Sequence, residues 1–358
     1  MQSKPKLLII NPNQFGYSAG YHYYAKYLSG TFDIDFVCFD KGFPKIREEK
    51  IKIYYLNWSE KRIKRLLKFI LFSIKMTYKN KYDSLFTVYF NFVQLIGLIG
   101  RAKIKVLDIR TGSLDDSRIK RFMYNKTVYL STFFFNRITV LSDSLAKLLN
   151  LPNKKTKILP LGAEIIVPDK KVYNKMYLIY IGTFYKRNIE KTIEGFEQFY
   201  FEKKNTIPIK YYIIGFGSIE EEKTISETIK KYKLNNVIKF LGRKNHNELY
   251  SYLKEATIGI SFVPQTSYYD VQPPTKIFEY ALSGLITIST DTYEARKLIT
   301  KENGVICQDN AQSFKEKLDE IYENLDYYSS DKIRKSLINN EWKTIVKKIL
   351  VPVLKNSE

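Results

Sequence analysis

Short apolar runs that alternate with helical stretches, twice along the chain, restrict its fold more than any other feature. The first series is KLLIIN (6–11), DIDFVCF (33–39), Ile51–Leu56, SLFTVY (84–89), IKVLD (104–108), Ile138–Leu141 and Lys157–Leu161. Such runs bounded by turn residues read as strands, and helical stretches between them call for parallel strands joined by crossover helices. The pattern lapses at EIIVPDKKVYNK (164–175), a polar, proline-containing segment expected to be a linker, and restarts with MYLIYIG (176–182), IKYYIIG (209–215), VIKFL (237–241), IGISFV (258–263) and LITIST (285–290). The expected fold class is therefore α/β, with two Rossmann-like, doubly wound parallel-sheet domains facing a cleft. Residues 1–163 form the first domain and 164–335 the second. The final run EWKTIVKKILVPVLKN, within 336–358, reads as a helix up to its proline that packs back on the first domain.

Composition narrows the functions open to such a fold. Hydrophobic residues make up 44% of the 358, enough for two packed cores. Two histidines and two widely spaced cysteines argue against a His- or Cys-built metal centre, and Cys38 and Cys307 read as buried free thiols. The balance of 59 Lys and Arg against 37 Asp and Glu, a net charge of +22, points to anionic partners. A basic nucleic-acid-binding module is one such reading, but no helix-turn-helix, RNA-recognition or zinc signature supports it, and no nucleic-acid partner is expected. A dinucleotide-dependent oxidoreductase is disfavoured because no G-x-G-x-x-G follows the first strand. The start MQSKPKLLIINPNQ enters a strand without the apolar region of a secretory leader, so a cytoplasmic location is expected.

Ligands of open α/β sheets bind beyond the carboxyl ends of the strands, which directs attention to the loops there. Four of them in the second half carry polar or glycine signals: TFYKRN (183–188) with Lys186 and Arg187, the turn FGS (216–218) with Gly217, GRK (242–244) with Arg243, and YDVQPPTKIFEYALSGLITIST (269–290). The last is the most specific. Pro273 and Pro274 hold the chain extended, Thr275 reads as an N-cap, and Gly284 ends the helix. Lys276 then stands at the positive end of a helix and shares a face with Glu279 three residues on. A cation there is unfavourable unless an anion joins it, a first hint of a phosphate.

In this order the segments resemble those of the family 4 retaining glycosyltransferases, which have the two-domain GT-B fold. The resemblance implies a transferase that moves a sugar from a nucleotide-diphosphate sugar to a glycan or lipid-linked acceptor in bacterial cell-surface polysaccharide biosynthesis. It places acceptor binding in the first domain and donor binding in the second. It also implies that Lys276, Lys186 and Arg187 meet the donor diphosphate, that Glu279 accepts from the ribose hydroxyls, and that Gly217 and Arg243 lie near the nucleotide. In the first domain PNQFGYSAGYHYYAKYL resembles the family's glycine-bearing loop, with Gly16 allowing close backbone approach. Three positions depart from the family pattern. Thr183 stands where an arginine is usual, Val271 replaces a glutamate and leaves Asp270 beside it, and DIRTGS, beginning at Asp108, stands where a histidine is frequent. Lys276, Arg187 and Asp108 are the expected catalytic residues. Thr183, Asp270 and Thr275 join the donor set, and no metal or cofactor is expected. An epimerase acting on nucleotide sugars is the alternative of the same fold.

KRIKRLLKFILFSIKMTYKNKY (61–82) stands apart. Ile63, Leu66, Leu67, Ile70, Leu71 and Ile74 recur at helical spacing with lysines and arginines around them. Phe69 and Phe72 widen the apolar side. Such a helix either packs on the sheet or lies on an anionic membrane surface, here the inner face of the plasma membrane. SRIKRFMYNKTVYLSTFFFN (117–136), aromatic and basic, is expected to border the same surface.

Overall fold

The computed structural model describes residues 4–58, 61–113 and 117–355. The chain divides into two compact units, Met1–Leu161 with Trp342–Glu358, and Gly162–Glu341.

The first unit is built on seven parallel strands: β1 (Lys6–Ile10), β2 (Asp33–Asp40), β3 (Ile51–Asn57), β4 (Ser84–Val88), β5 (Ile104–Ile109), β6 (Arg137–Val140) and β7 (Thr156–Ile158). Their order is β3-β2-β1-β4-β5-β6-β7, so the direction of winding reverses between β1 and β4. Alternate residues of β1 enter opposite cores: Leu7 and Ile9 face helix 19–28 and the C-terminal run, whereas Leu8 and Ile10 face helices 62–79, 94–99 and 118–131. This two-sided burial is why the strands read as continuous apolar runs.

The second unit holds six parallel strands: β8 (Met176–Thr183), β9 (Ile209–Phe216), β10 (Ile238–Phe240), β11 (Ile258–Ser261), β12 (Ile286–Thr290) and β13 (Gly304–Cys307). Their order is β10-β9-β8-β11-β12-β13, with the reversal between β8 and β11. Cys38 and Cys307 are buried and free.

Three expectations need correction. Segment 164–175 is no linker. Val167 is fully buried, Tyr173 Oη donates to the Gly284 carbonyl at 2.7 Å, and Lys171 Nζ donates to the carbonyls of Leu253, Lys254 and Ala256 at 2.7–2.9 Å. Polar composition hid an arm whose lysine caps the end of helix 246–255. The C-terminal helical run does not stop at its proline but continues to Leu354, with a π-helical stretch over Val346–Leu350 just before Pro352. A π-turn makes room for a ring that has no N–H to give to the ladder. Trp342, at its start, packs on Tyr23 and Tyr24 of the first unit. The strand expected at 157–161 ends at Ile158.

Helix 62–79 carries two apolar stripes. One, with Phe69, Ile70 and Met76, is buried on the sheet, and the Phe69 ring lies 4.5 Å from that of Phe39. The other is exposed, with Ile63 at 73% and Leu71 at 64%. The packing reading of the sequence describes the first stripe of this helix, and the second stripe is left exposed. Helix 118–131 likewise exposes Ile119, Phe122 and Met123. Helix 62–79 packs on helix 94–99, which packs on the turn 132–134 that continues helix 118–131, so these side chains belong to one outer layer. Among the described residues no helix is long and apolar enough to cross a membrane.

Candidate active site

In the second unit a hollow of about 270 Å³ opens where the winding of the sheet reverses. Its floor is the end of β8 (Tyr180–Thr183) and of β11 with the residues after it (Ile260–Val263). Its walls are Arg187, Tyr269 and Gln272–Lys276.

Each wall is set by local structure. The loop after β8 turns tightly: Phe184 N donates to the Phe216 carbonyl at 2.9 Å and Arg187 N to the Phe184 carbonyl at 3.0 Å. Lys186 and Asn188 take left-handed φ values of 51° and 52° to make that turn. Arg187 lines the hollow, its guanidinium 4.6 Å over the ring of Tyr269, and shares with Lys186 a neighbouring recess beside Glu221, whereas Lys186 does not line the hollow.

Helix 275–282 begins at Thr275, not after it. Pro274 is the N-cap and no side chain caps the first turn, which corrects the expected capping role of Thr275. Ile277 N donates to the Pro274 carbonyl at 3.2 Å, and the N–H groups of Thr275 and Lys276 before it are left to solvent or to an anion. Gly284, at φ 73°, ends the helix in the left-handed conformation. The helix is pinned to the sheet by Tyr280. Its ring lies fully buried across Gly259 of β11, and its hydroxyl accepts from Ile181 N at 3.0 Å. Burial pushes the Tyr280 hydroxyl pKa well up, so it stays neutral and serves as that acceptor. Lys276 Nζ meets the carboxylate of Glu279 in an ion pair of partly buried side chains. The described residues lining the hollow include two cations and no carboxylate.

The structure brings together Thr183, Arg187, Thr275 and Lys276 in this hollow, with Glu279 joined through Lys276. Gly217 lies at the neighbouring turn, where its N–H donates to Glu222 at 3.1 Å and Ser218 forms a capping box with Glu221. Glu221 also accepts from Lys186 N at 3.2 Å, tying the two loops together. Arg243 lies exposed with its guanidinium 4.8 Å over the Phe216 ring, outside the lining. Asp270 points the other way, accepting from Tyr293 N at 2.7 Å at the start of helix 293–298. Tyr180, Tyr269 and Gln272 line the hollow and were not singled out from the sequence. Tyr269 and Gln272 lie within the quoted stretch, but nothing in their spacing marks them.

In the first unit Gly16 takes φ 88° in the loop after β1, and a Cβ there would collide with Ile46. Asp108 is wholly buried. Its carboxylate accepts from Tyr21 Oη at 2.9 Å, Thr139 Oγ1 at 2.6 Å and Arg110 Nε at 2.7 Å. A carboxylate with three donors and no exposure holds its neighbours in place, a setting that does not fit the catalytic role expected of Asp108.

Residues 164–343 match the family model described as glycosyl transferases group 1, which is just over half of the 358 residues. No curated protein matches the sequence. Solved structures similar in fold include Anabaena HepE in complex with UDP, at 13% identity over 97% of this chain and 99% of that one, with a TM-score of 0.71. A glycosyltransferase from Rickettsia africae is similar at 16% identity over 99% and 100% of the two chains, with a TM-score of 0.72. Sucrose-phosphate synthase from Thermosynechococcus elongatus is similar at 16% identity over 97% and 98%, with a TM-score of 0.71.

Proposed function

Because this chain belongs to the glycosyl transferases group 1 family and has the Rossmann-like units of the GT-B class, we propose that it is a retaining, metal-independent glycosyltransferase of the family 4 type. It takes a sugar from a nucleotide-diphosphate donor held by the second unit and passes it to a glycan or lipid-linked acceptor held by the first, in bacterial cell-surface polysaccharide biosynthesis. The observation that carries this reading is the hollow at the β8/β11 reversal, where Arg187, Lys276 and an uncapped helix start converge. Cleaving a sugar–phosphate bond builds negative charge on the departing diphosphate, and fixed cations with backbone N–H groups stabilise it. That HepE has been solved with UDP supports a nucleotide ligand for this class of site. Glu279, one turn further along the helix, suits a ribose diol. Screening the purified protein for hydrolysis of a panel of nucleotide sugars tests the reading, and inactivity toward every member would overturn it.

The cations of the hollow take the place of a metal in this proposal. Turnover is therefore expected to survive EDTA. Activity lost in EDTA and restored by manganese would contradict metal independence.

The exposed stripe of helix 62–79 and the outer side of helix 118–131, both interspersed with lysines and arginines, support peripheral association with the anionic inner face of the plasma membrane. The protein is expected to sediment with anionic liposomes at low salt, and Leu71→Asp with Phe122→Asp to release it. Wild-type protein left in the supernatant would refute the association.

A further inference from the structure

We infer that Tyr269 is a positioning residue of the hollow in the second unit: its ring holds the Arg187 guanidinium at the hollow and out of the recess beside Glu221. That this placement serves a donor diphosphate rests on the glycosyltransferase reading, whereas the placement itself stands on the geometry.

Arg187 has two places to go. It lines the hollow at the β8/β11 reversal and also the recess between the loop after β8 and helix 219–231. The recess contains a carboxylate, Glu221, toward which a long, rotatable cationic side chain is drawn by charge. Among the described residues, however, no ion pair joins Arg187 to Glu221 or to any other carboxylate. The Glu221 carboxylate is engaged elsewhere, accepting from Lys186 N at 3.2 Å and from Ser218 N at 2.8 Å. The contact that the guanidinium makes is with Tyr269, at 4.6 Å from the ring centroid.

The choice of an aromatic partner has a chemical consequence. An ion pair would fix the guanidinium and cancel its charge together. A ring face fixes it and leaves both the charge and the N–H donors available to an anion. Lys276, the other cation of the hollow, is by contrast compensated by Glu279. Arg187 is thus oriented in advance and uncompensated, the state in which a cation meets an incoming anion without first giving up a partner.

The ring is itself held. Tyr269 belongs to the helical turn Ser267–Asp270 that follows β11, and its N–H donates to Thr266 Oγ1 at 3.4 Å. The adjoining Asp270 carboxylate accepts from Tyr293 N at 2.7 Å, which ties this turn to the start of helix 293–298 after β12. Asp270, expected from the sequence to touch the donor, instead anchors the turn that carries the ring.

Two measurements test the inference, one of them without any ligand. Arginine Nε–Hε NMR signals are recorded, with that of Arg187 assigned by its loss in Arg187→Ala. The Arg187 signal is expected to be displaced by the ring current in wild type and in Tyr269→Phe, and to lose that displacement in Tyr269→Leu. Calorimetric titration with UDP, GDP, ADP and CDP then reads the effect on binding. The Kd of a diphosphate that binds is expected to rise roughly three- to tenfold in Tyr269→Leu and to stay within about twofold in Tyr269→Phe. Made on the Arg187→Ala background, Tyr269→Leu should change Kd by less than about twofold, because the ring acts through the guanidinium. An Arg187 signal without a ring-current displacement in wild type, or unchanged in Tyr269→Leu, would overturn the placement. Equal Kd in wild type and Tyr269→Leu would overturn the positioning role. So would a weakening that persists in full without Arg187, since the ring would then touch the ligand itself or merely support the fold. Should no diphosphate bind the wild type, the donor reading fails, and the NMR signal still decides whether the ring holds Arg187.

Discussion

Lys276→Ala is expected to lower kcat for sugar transfer by roughly 2.7–4 kcal/mol in activation free energy, the cost of removing one donor from an oxyanion site. The donor KM should change far less. The reason lies in when the charge is needed. The diphosphate of the intact donor is partly neutralised by its ester bond to the sugar, and its negative charge grows as that bond breaks. Before the donor arrives, Lys276 is paired with Glu279 on the same helix turn, so each keeps the other's charge compensated at the rim of the hollow. On the proposed reading, donor binding would exchange this pair for two others, ammonium with phosphate and carboxylate with ribose hydroxyls. Glu279→Ala should accordingly raise the donor KM and the Kd of the nucleoside diphosphate with less effect on kcat, because ribose contacts are alike in ground and transition states. Arg187→Ala should follow Lys276→Ala. If Lys276 and Glu279 formed only a surface pair, each change would alter stability by less than about 0.5 kcal/mol and leave turnover intact. Steady-state kinetics of the three variants decide between these outcomes.

Gly259→Ala is expected to damage both the stability of the second unit and its site. A Cβ at Gly259 would lie 2.2 Å from Cγ of Tyr280 and under 3 Å from both Cδ atoms. These atoms are the base of a fully buried ring, which cannot swing aside as the tip of a lysine can. Overpacking of this kind costs about 1–3 kcal/mol, and each kcal/mol lowers the Tm of a unit this size by roughly 2–4 °C. The damage should reach the site as well. Tyr280 and Lys276 share one helix, and the Tyr280 hydroxyl is the acceptor for Ile181 N at the floor of the hollow. Displacing the ring shifts the helix start, so donor KM should rise and kcat fall together. Calorimetric melting combined with kinetics checks both. An unchanged Tm would contradict the packing argument.

These two residues mark the border of what the sequence discloses. Lys276 was legible because it breaks a local rule: a cation at a positive helix end, behind two prolines, has no purpose that helix propensity supplies. Gly259 was not legible, because a glycine in an apolar strand has many explanations and the ring across it is 21 positions away in sequence. The strands were read well where both faces are buried, as in β1 and β8, and less well at β7, whose Lys157 and Ile158 are exposed at the sheet edge. Polar composition misled at 164–175, where a lysine serves as an internal cap. Asp270 and Asp108 were chosen for their positions beside family motifs. Their side-chain directions, toward Tyr293 and into the Tyr21–Thr139–Arg110 network, depend on tertiary neighbours that spacing does not encode. Thr275 was displaced by one residue because proline took the cap position, a slip of the size usual at helix ends.

The central claim, that the hollow at the β8/β11 reversal receives the diphosphate of a nucleotide donor, is tested most directly by calorimetric titration with UDP, GDP, ADP and CDP. The measurement needs neither the sugar nor the acceptor to be known. At least one of the four is expected to bind at one site per chain, with an affinity weakened about tenfold or more in both Lys276→Ala and Arg187→Ala, since the free diphosphate carries the charge that these cations meet. Absence of binding by all four, or binding that is equal in wild type and both variants, would contradict the claim.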